Sequence, residues 1–339
     1  MAVGTAVKNT QGLKLILFKT TDMGGTTLSG DRYQLPLLSP PSILDLTAPL
    51  ASSPQLVGKY TLDDGQSVHN RTNQMFEISF SVLCSPTVLD TLCLFMFEDG
   101  DGTNTITGNY SPPAWTNTGS TGNPTNIMIG GGGYDNVVGG GKRDMRYVGC
   151  IGKSLEITHA IDSESGKPVA NVTFVTGYSP IYGDNVSDGT DTYINLTGDS
   201  ATNFTDWGTD TGLTNNGSEY DLHPYSYSVS MARDIQRVGC VDYTNYQPDG
   251  YVMQGGWDIS MNMVYKRDEI FASIKDAMHD SDTVVLKVAD NSSSPFRIFV
   301  VGKVSEHSVD TGNPELRNSI TVTGMRDVEL TNSVMNLEM

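Results

Sequence analysis

Phe76-Glu77-Ile78-Ser79-Phe80-Ser81-Val82-Leu83-Cys84-Ser85-Pro86 is the stretch that decides the fold class. Phe76, Ile78, Phe80 and Val82 alternate with Glu77, Ser79 and Ser81, a period of two that predicts a strand with one face buried. Ser85-Pro86 then offers a hydroxyl for a helix cap and a proline for the first helical position. The helix predicted over Thr87–Phe97 carries Leu89, Leu92, Cys93 and Met96 on one stripe. Leu94, Phe95 and Phe97 lie elsewhere on it, so it must be covered on several sides.

The same order recurs farther along. Phe76-Glu77-Ile78-Ser79-Phe80 matches Trp257-Asp258-Ile259-Ser260-Met261 as aromatic, acid, Ile, Ser, apolar, and a helix start lies ten residues beyond each aromatic, at Pro86 and Arg267. Gly152-Lys153 corresponds to Gly302-Lys303, and Asn171–Gly177 to Asn318–Gly324. The offset is 181 residues at the aromatic and 147 at the closing glycine, a difference that falls mostly in the glycine-rich stretch after Phe97. Each half reads as strand, helix, then a strand pair closed by a turn, and an imperfect duplication is expected. One echo, Arg143–Cys150 against Arg233–Cys240, falls after its helix in the first half and before it in the second. It fits coincidence or a rearranged strand order.

Further strands are predicted at Leu13–Lys19, Arg146–Cys150, Ser154–Ala160, Val169–Val175, Tyr225–Met231, Val284–Val288, Phe296–Val301 and Ser319–Gly324, and a second helix at Arg267–His279. The expected organisation begins with an N-terminal strand and extended arm over 1–60. Ser39-Pro40-Pro41-Ser42 punctuates this segment, which is either a surface excursion or an arm ordered against a neighbouring subunit. A first β module follows over 61–180 with a long loop at 98–141, where Gly130–Gly133 reads as flexible chain. An acidic polar excursion over 181–222 then leads to a second β module over 223–339.

Composition narrows function. Lys plus Arg is 21 and Asp plus Glu is 39, giving −18, and residues 72–141 and 168–232 contain no lysine or arginine. Such a chain repels a nucleic-acid duplex unless its positive groups gather on one face. No apolar run is long enough to span a bilayer, so a soluble protein without a membrane partner is expected. The histidines His69, His159, His223, His279 and His307 form no ligand pair, and Cys84, Cys93, Cys150 and Cys240 read as buried fillers. Asp99–Asn104 faintly follows a calcium loop, but Asn104 replaces the glycine of the sixth position and no glutamate stands at the twelfth. The acids from Asp184 to Asp191 read as a solvated loop. Trp115 and Trp207, set in polar surroundings, suit either sugar stacking or a subunit contact. No catalytic, cofactor-binding or metal residue is assigned, and no enzyme is expected.

Met75–Phe97, Arg146–Ile157 with Val169–Val175, Tyr225–Ser230 and Tyr251–Met263, with the helix and strand pair that follow, are spread along about two thirds of the chain. In order and pattern they resemble the tail tube proteins of long, non-contractile-tailed bacteriophages. The resemblance implies a mainly β fold of duplicated antiparallel sandwich- or barrel-like modules, each with a short flanking α-helix, plus long polar loops. It implies a virion protein made in the host cytoplasm and assembled into stacked rings that conduct double-stranded DNA. A trimeric ring with pseudo-sixfold symmetry is expected, a hexamer being the alternative, with other tail proteins at the tube ends. A capsid decoration or tail-fibre-like β protein shares the composition. A carbohydrate-binding or glycoside hydrolase β domain is the remaining alternative.

Overall fold

The structure, a computed structural model, describes residues 13–20, 28–46, 51–52, 67–68, 75–96, 109–110, 125–131, 145–160, 167–178, 180–182, 194–197, 211–215, 217–238, 250–266, 271–280, 282–289, 297–310, 316–324 and 335–338. These residues form a mainly β, multi-stranded sheet fold with two short helices. The first half comprises β1 (Leu13–Thr20), β2 (Leu28–Gln34), β3 (Ser42–Asp45), β4 (Ala51–Ser52), β5 (Ser67–Val68), β6 (Phe76–Leu83), α1 (Pro86–Met96), β7 (Asn109–Tyr110), β8 (Thr125–Gly131), β9 (Met145–Ala160), β10 (Val169–Thr176), β11 (Ile181–Tyr182) and β12 (Ile194–Asn195). The second comprises β13 (Gly212–Asn215), β14 (Ser218–Asp221), β15 (Pro224–Val238), β16 (Gly250–Lys266), α2 (Phe271–Asp280), β17 (Val284–Ala289), β18 (Arg297–Asp310), β19 (Arg317–Gly324) and β20 (Met335–Glu338).

In the first half the antiparallel pairings run β2–β1–β8–β9–β10–β6–β3. Between β2 and β3 the chain turns a corner at Leu35, whose N–H donates to the Leu15 carbonyl at 3.0 Å, and the Leu38 N–H donates to the Ser81 carbonyl at 2.9 Å. In the second half the pairings run β14–β13–β17–β18–β19–β16–β15. Here the corner is Leu222, whose N–H donates to the Thr211 carbonyl at 3.0 Å. Both corner leucines are buried. The halves join where β15 pairs with β9.

The registers can be compared directly. Adding 150 to both members of Glu156↔Asn171 gives Glu306↔Thr321, and Gly152↔Phe174 becomes Gly302↔Gly324. Adding 181 to Ser79 and 150 to Thr173 turns their pair into Ser260↔Thr323. Asn171 therefore stands where Thr321 stands, not Asn318, and the 147-residue match of the sequence is off by three. The segments of the stray echo pair differently, Met145–Cys150 with β8 and Asp234–Val238 with β16, so they hold no equivalent place.

Where two strands were predicted, β9 is one strand of 16 residues. Gly149 adopts a φ of 58°, a left-handed conformation that glycine takes without steric cost. Thr125 faces Cys150 while Ile127 faces Tyr147, so β9 carries an extra residue there. Such a bulge bends a strand. The part before it pairs with β8 and the part after it with β10. Likewise β18 runs beyond the predicted Val301 to Asp310, its start pairing with β17 and its end with β19.

Two stretches expected to lack structure contain strands. Gly130 and Gly131 lie in β8, opposite Lys14 and Leu13 of β1, because the ladder needs only their backbone. Within 181–222, β13 and β14 form a hairpin on β17, and Leu213 is buried.

One core spans both halves, from Leu15 and Leu17 through Phe174, Val229 and Tyr265 to Val322. Burial of each such large side chain contributes roughly 1.5–3 kcal/mol. Helix α1 is buried from Val88 through Met96, as its all-round apolar sequence requires, and the Val88 N–H donates to the Ser85 cap hydroxyl at 3.1 Å. Helix α2 buries Ile274 and Ala277 and exposes Lys275, Asp276 and Met278.

Gly152 and Gly302 sit at matching positions for different reasons. A Cβ on Gly152 would meet the flexible Met96 side chain of α1, whereas one on Gly302 would overlap the Thr323 carbonyl oxygen across the β18–β19 ladder. Gly302→Ala is therefore expected to cost roughly 1–3 kcal/mol through forced separation of the strands, more than Gly152→Ala, when both are compared by urea unfolding.

Candidate functional site

Among the described residues no group of three His, Cys, Asp or Glu side chains could hold a metal ion. His159 is buried against the Tyr227 ring, with centroids 5.7 Å apart, and His279 and His223 are exposed. Cys84, Cys93 and Cys150 are buried free thiols whose pKa burial raises well above the ordinary value, which leaves them poor nucleophiles. His69, Cys240, Asp99–Asn104, Trp115, the acids from Asp184 to Asp191, and Trp207 lie outside the described residues. No helix among those described is long and apolar enough to cross a membrane.

What the strands do assemble is a broad polar face. Apolar residues of β6, β10, β9, β15, β16 and β19 point to the core, so their alternate residues share the opposite face. One cross-strand row reads Ser81, Asn171, Glu156, Ser230, Ser260, Thr323 and Lys303, crossing from the first half into the second without a break. The next reads Thr158, Ser228, Asn262, Thr321 and Glu306.

Side-chain hydrogen bonds run along these rows. Ser81 donates to Asn171 Oδ1 at 2.7 Å, and Asn171 Nδ2 donates to Glu156 at 3.3 Å. Asn262 Nδ2 reaches Ser319 at 3.0 Å and Thr321 at 2.9 Å. Such ties hold short polar side chains in place, which favours a smooth surface over a mobile one. The ionisable groups on this face are few. Lys153 pairs with Glu77 at 2.6 Å, while Glu156, Asp258 and Glu306 share the face with Lys303, Lys266 and Arg317, so its acids and bases are close to balanced.

The two halves meet through β9 and β15, with Ser154 opposite Ala232, Glu156 opposite Ser230 and Ala160 opposite Ser226. Beneath this ladder Leu155, Ile157, Val229 and Met231 are buried. Arg233 secures one end. Its Nε donates to the Gly152 carbonyl at 2.8 Å, and its guanidinium lies 4.4 Å from the Trp257 ring centroid. A planar cation over a ring in this geometry is attractive.

Elsewhere the sheet has open edges, β3 and the end of β18 among them. Among the described residues no strand pairs with β3 on the side away from β6, nor with 303–310 of β18 on the side away from β19. Among the described residues seven large hydrophobics are exposed, and five flank these edges: Leu38 (47%), Leu44 (53%) and Leu46 (42%) at β3, with Val309 (36%) and Leu316 (43%) at the β18–β19 end. Sequence reading missed the β18 edge because 303–310 is polar and carries little alternation. It flagged the β3 region only as a proline-punctuated arm.

A scan against protein-family models finds no match to this chain, and a search of curated proteins finds no significant one.

At the β18 edge His307 Nε2 lies 3.3 Å from Tyr265 Oη, and burial lowers the histidine pKa from its ordinary 6.5. The unfolded chain thus binds this proton more readily than the folded one, so stability is lost as pH falls through about 6.5 toward the lower folded value. Urea unfolding of the wild type is expected to weaken more steeply between pH 7.5 and 5.5 than that of His307→Gln.

Proposed function

We propose that this chain forms the tail tube of a long, non-contractile-tailed bacteriophage, copies closing into rings that stack around a bore carrying double-stranded DNA. The observation that carries this is the continuous polar face crossing both halves, backed by one core. A conduit has to hold DNA without binding it. A face dominated by uncharged hydroxyls and amides, with few and nearly balanced charges, offers phosphates little to bind.

Two further points support the modular part of the proposal. The constant offsets of 150 and 181 in the strand registers, and the equivalent hairpins β1–β2 and β13–β14, favour a duplicated module. In each half the pairings run from the first strand round to a corner leucine and back, which favours a barrel-like arrangement. The proposed modules are 61–180 and 223–339, completed by the upstream hairpins. Two per chain suit a trimeric ring with pseudo-sixfold symmetry, a hexamer being the alternative. Other tail proteins would cap the ends. A virion location and a structural, non-catalytic role follow from the same proposal.

Negative-stain microscopy of the purified protein is the test of class. Stacked annuli or tubes with a central bore are expected, while compact knobs, fibres or monomers at high concentration would sink the proposal. The bore assignment has its own test in Glu156→Lys with Asp258→Lys, two exposed positions of the polar face. Tubes of this variant are expected to retain duplex DNA at low salt and release it at high salt, and wild-type tubes to retain none. Absence of retention would mean that the face points elsewhere.

A further inference from the structure

The junction inside the chain is a template for one between chains. In the pairing pattern β3 stands to β6 as β15 stands to β16, since Ser42↔Ser79 and Ser230↔Ser260 differ by 181 on the β6 and β16 side. β18 in turn stands to β19 as β9 stands to β10, Glu306↔Thr321 matching Glu156↔Asn171. Within one chain β9 and β15 satisfy each other through Glu156↔Ser230. On their counterparts, the outer sides of 303–310 of β18 and of β3 pair with no described strand.

We infer that β3 of one copy pairs antiparallel with the 303–310 portion of β18 in a second copy, with Ser42 opposite Glu306. This rests on the ring-forming proposal above and gives it a specific joint. The residue types agree, because glutamate faces serine at the internal junction and again at the inferred one. The polar row Thr158, Ser228, Asn262, Thr321 and Glu306 would continue into Ser42, Ser79 and Thr173 of the next copy. The exposed leucines beside β3 and the exposed Val309 and Leu316 would be brought to one interface, which explains why exposed apolar residues gather at these edges.

Backbone direction agrees as well. Leu46 donates its N–H to the Met75 carbonyl at 2.7 Å, so alternate residues Ser42 and Leu44 turn their backbone groups toward β6. Ile43 and Asp45 therefore present theirs outward, an edge open to pairing. Ser42 and Glu306 would form a non-hydrogen-bonded pair, the kind whose side chains approach most closely. The joint is head-to-tail, so repetition yields a ring or an open helical string.

The test mixes full-length Ser42→Cys with full-length Glu306→Cys in equal amounts, followed by mild oxidation and a non-reducing gel. Covalent dimer is expected in the mixture and in neither variant alone, with at least fivefold less from Ser42→Cys mixed with the register-shifted Ser308→Cys. Rings seen by microscopy without cross-linked dimer would overturn the inferred joint and leave the tube proposal standing. Cross-linking at this register in open strings or simple dimers would uphold the joint and overturn the tube. Equal cross-linking by the shifted pair would overturn the register. Neither assembly nor dimer would overturn both.

Discussion

Each antiparallel strand offers backbone donors and acceptors on two sides, and leaving them unmet inside a fold costs about 1–3 kcal/mol per group. That constraint organises this molecule through two long strands, β9 and β18. Each serves two different partners along its length, β8 then β10 for the first and β17 then β19 for the second. The bend in β9 depends on Gly149 and the extra residue beside it. After the bend, the far side of β9 is met by β15, and this ladder unites the halves over a common core. The matching side of β18 has no such partner among the described strands.

How much of this was legible in the sequence follows from burial. β6, β10, β16 and β19 each bury one face, so their alternation was plain, and Ser85-Pro86 announced α1 because a cap and a preset φ act locally. From Tyr147 to Ile151, β9 is buried on both faces, which erases alternation and made one strand look like two. β8 was hidden because Gly130 and Gly131 contribute only backbone. The second half of β18 was hidden because its residues are mostly polar. A repeated order was suggested by Phe76 and Trp257, and at its closing strand the registers favour an offset of 150 in place of 147, since registers are set by pairing and not by similarity of composition.

The polar face could not be read as a surface at all until the strands were ordered. Ser81, Asn171, Glu156 and Ser230 are scattered over 150 positions of sequence, yet they stand side by side. The overall charge of −18 bears on this face only modestly, because its acids are few and Lys153 answers one of them. Under the tube proposal, a wall of short, mutually hydrogen-bonded side chains would suit passage of a polyanion better than a strongly charged wall. In this account, function lies in the assembled surface and not in any single reactive group.

The central claim is that one joint is made within the chain and its counterpart is left for a neighbour. Amide hydrogen exchange, compared between dispersed and assembled protein, addresses it most directly. Slowed exchange on assembly at Ile43, Asp45 and across 303–310 is predicted, with the β9–β15 ladder slow in both states. Unchanged exchange at both edges in assembled protein would contradict the account.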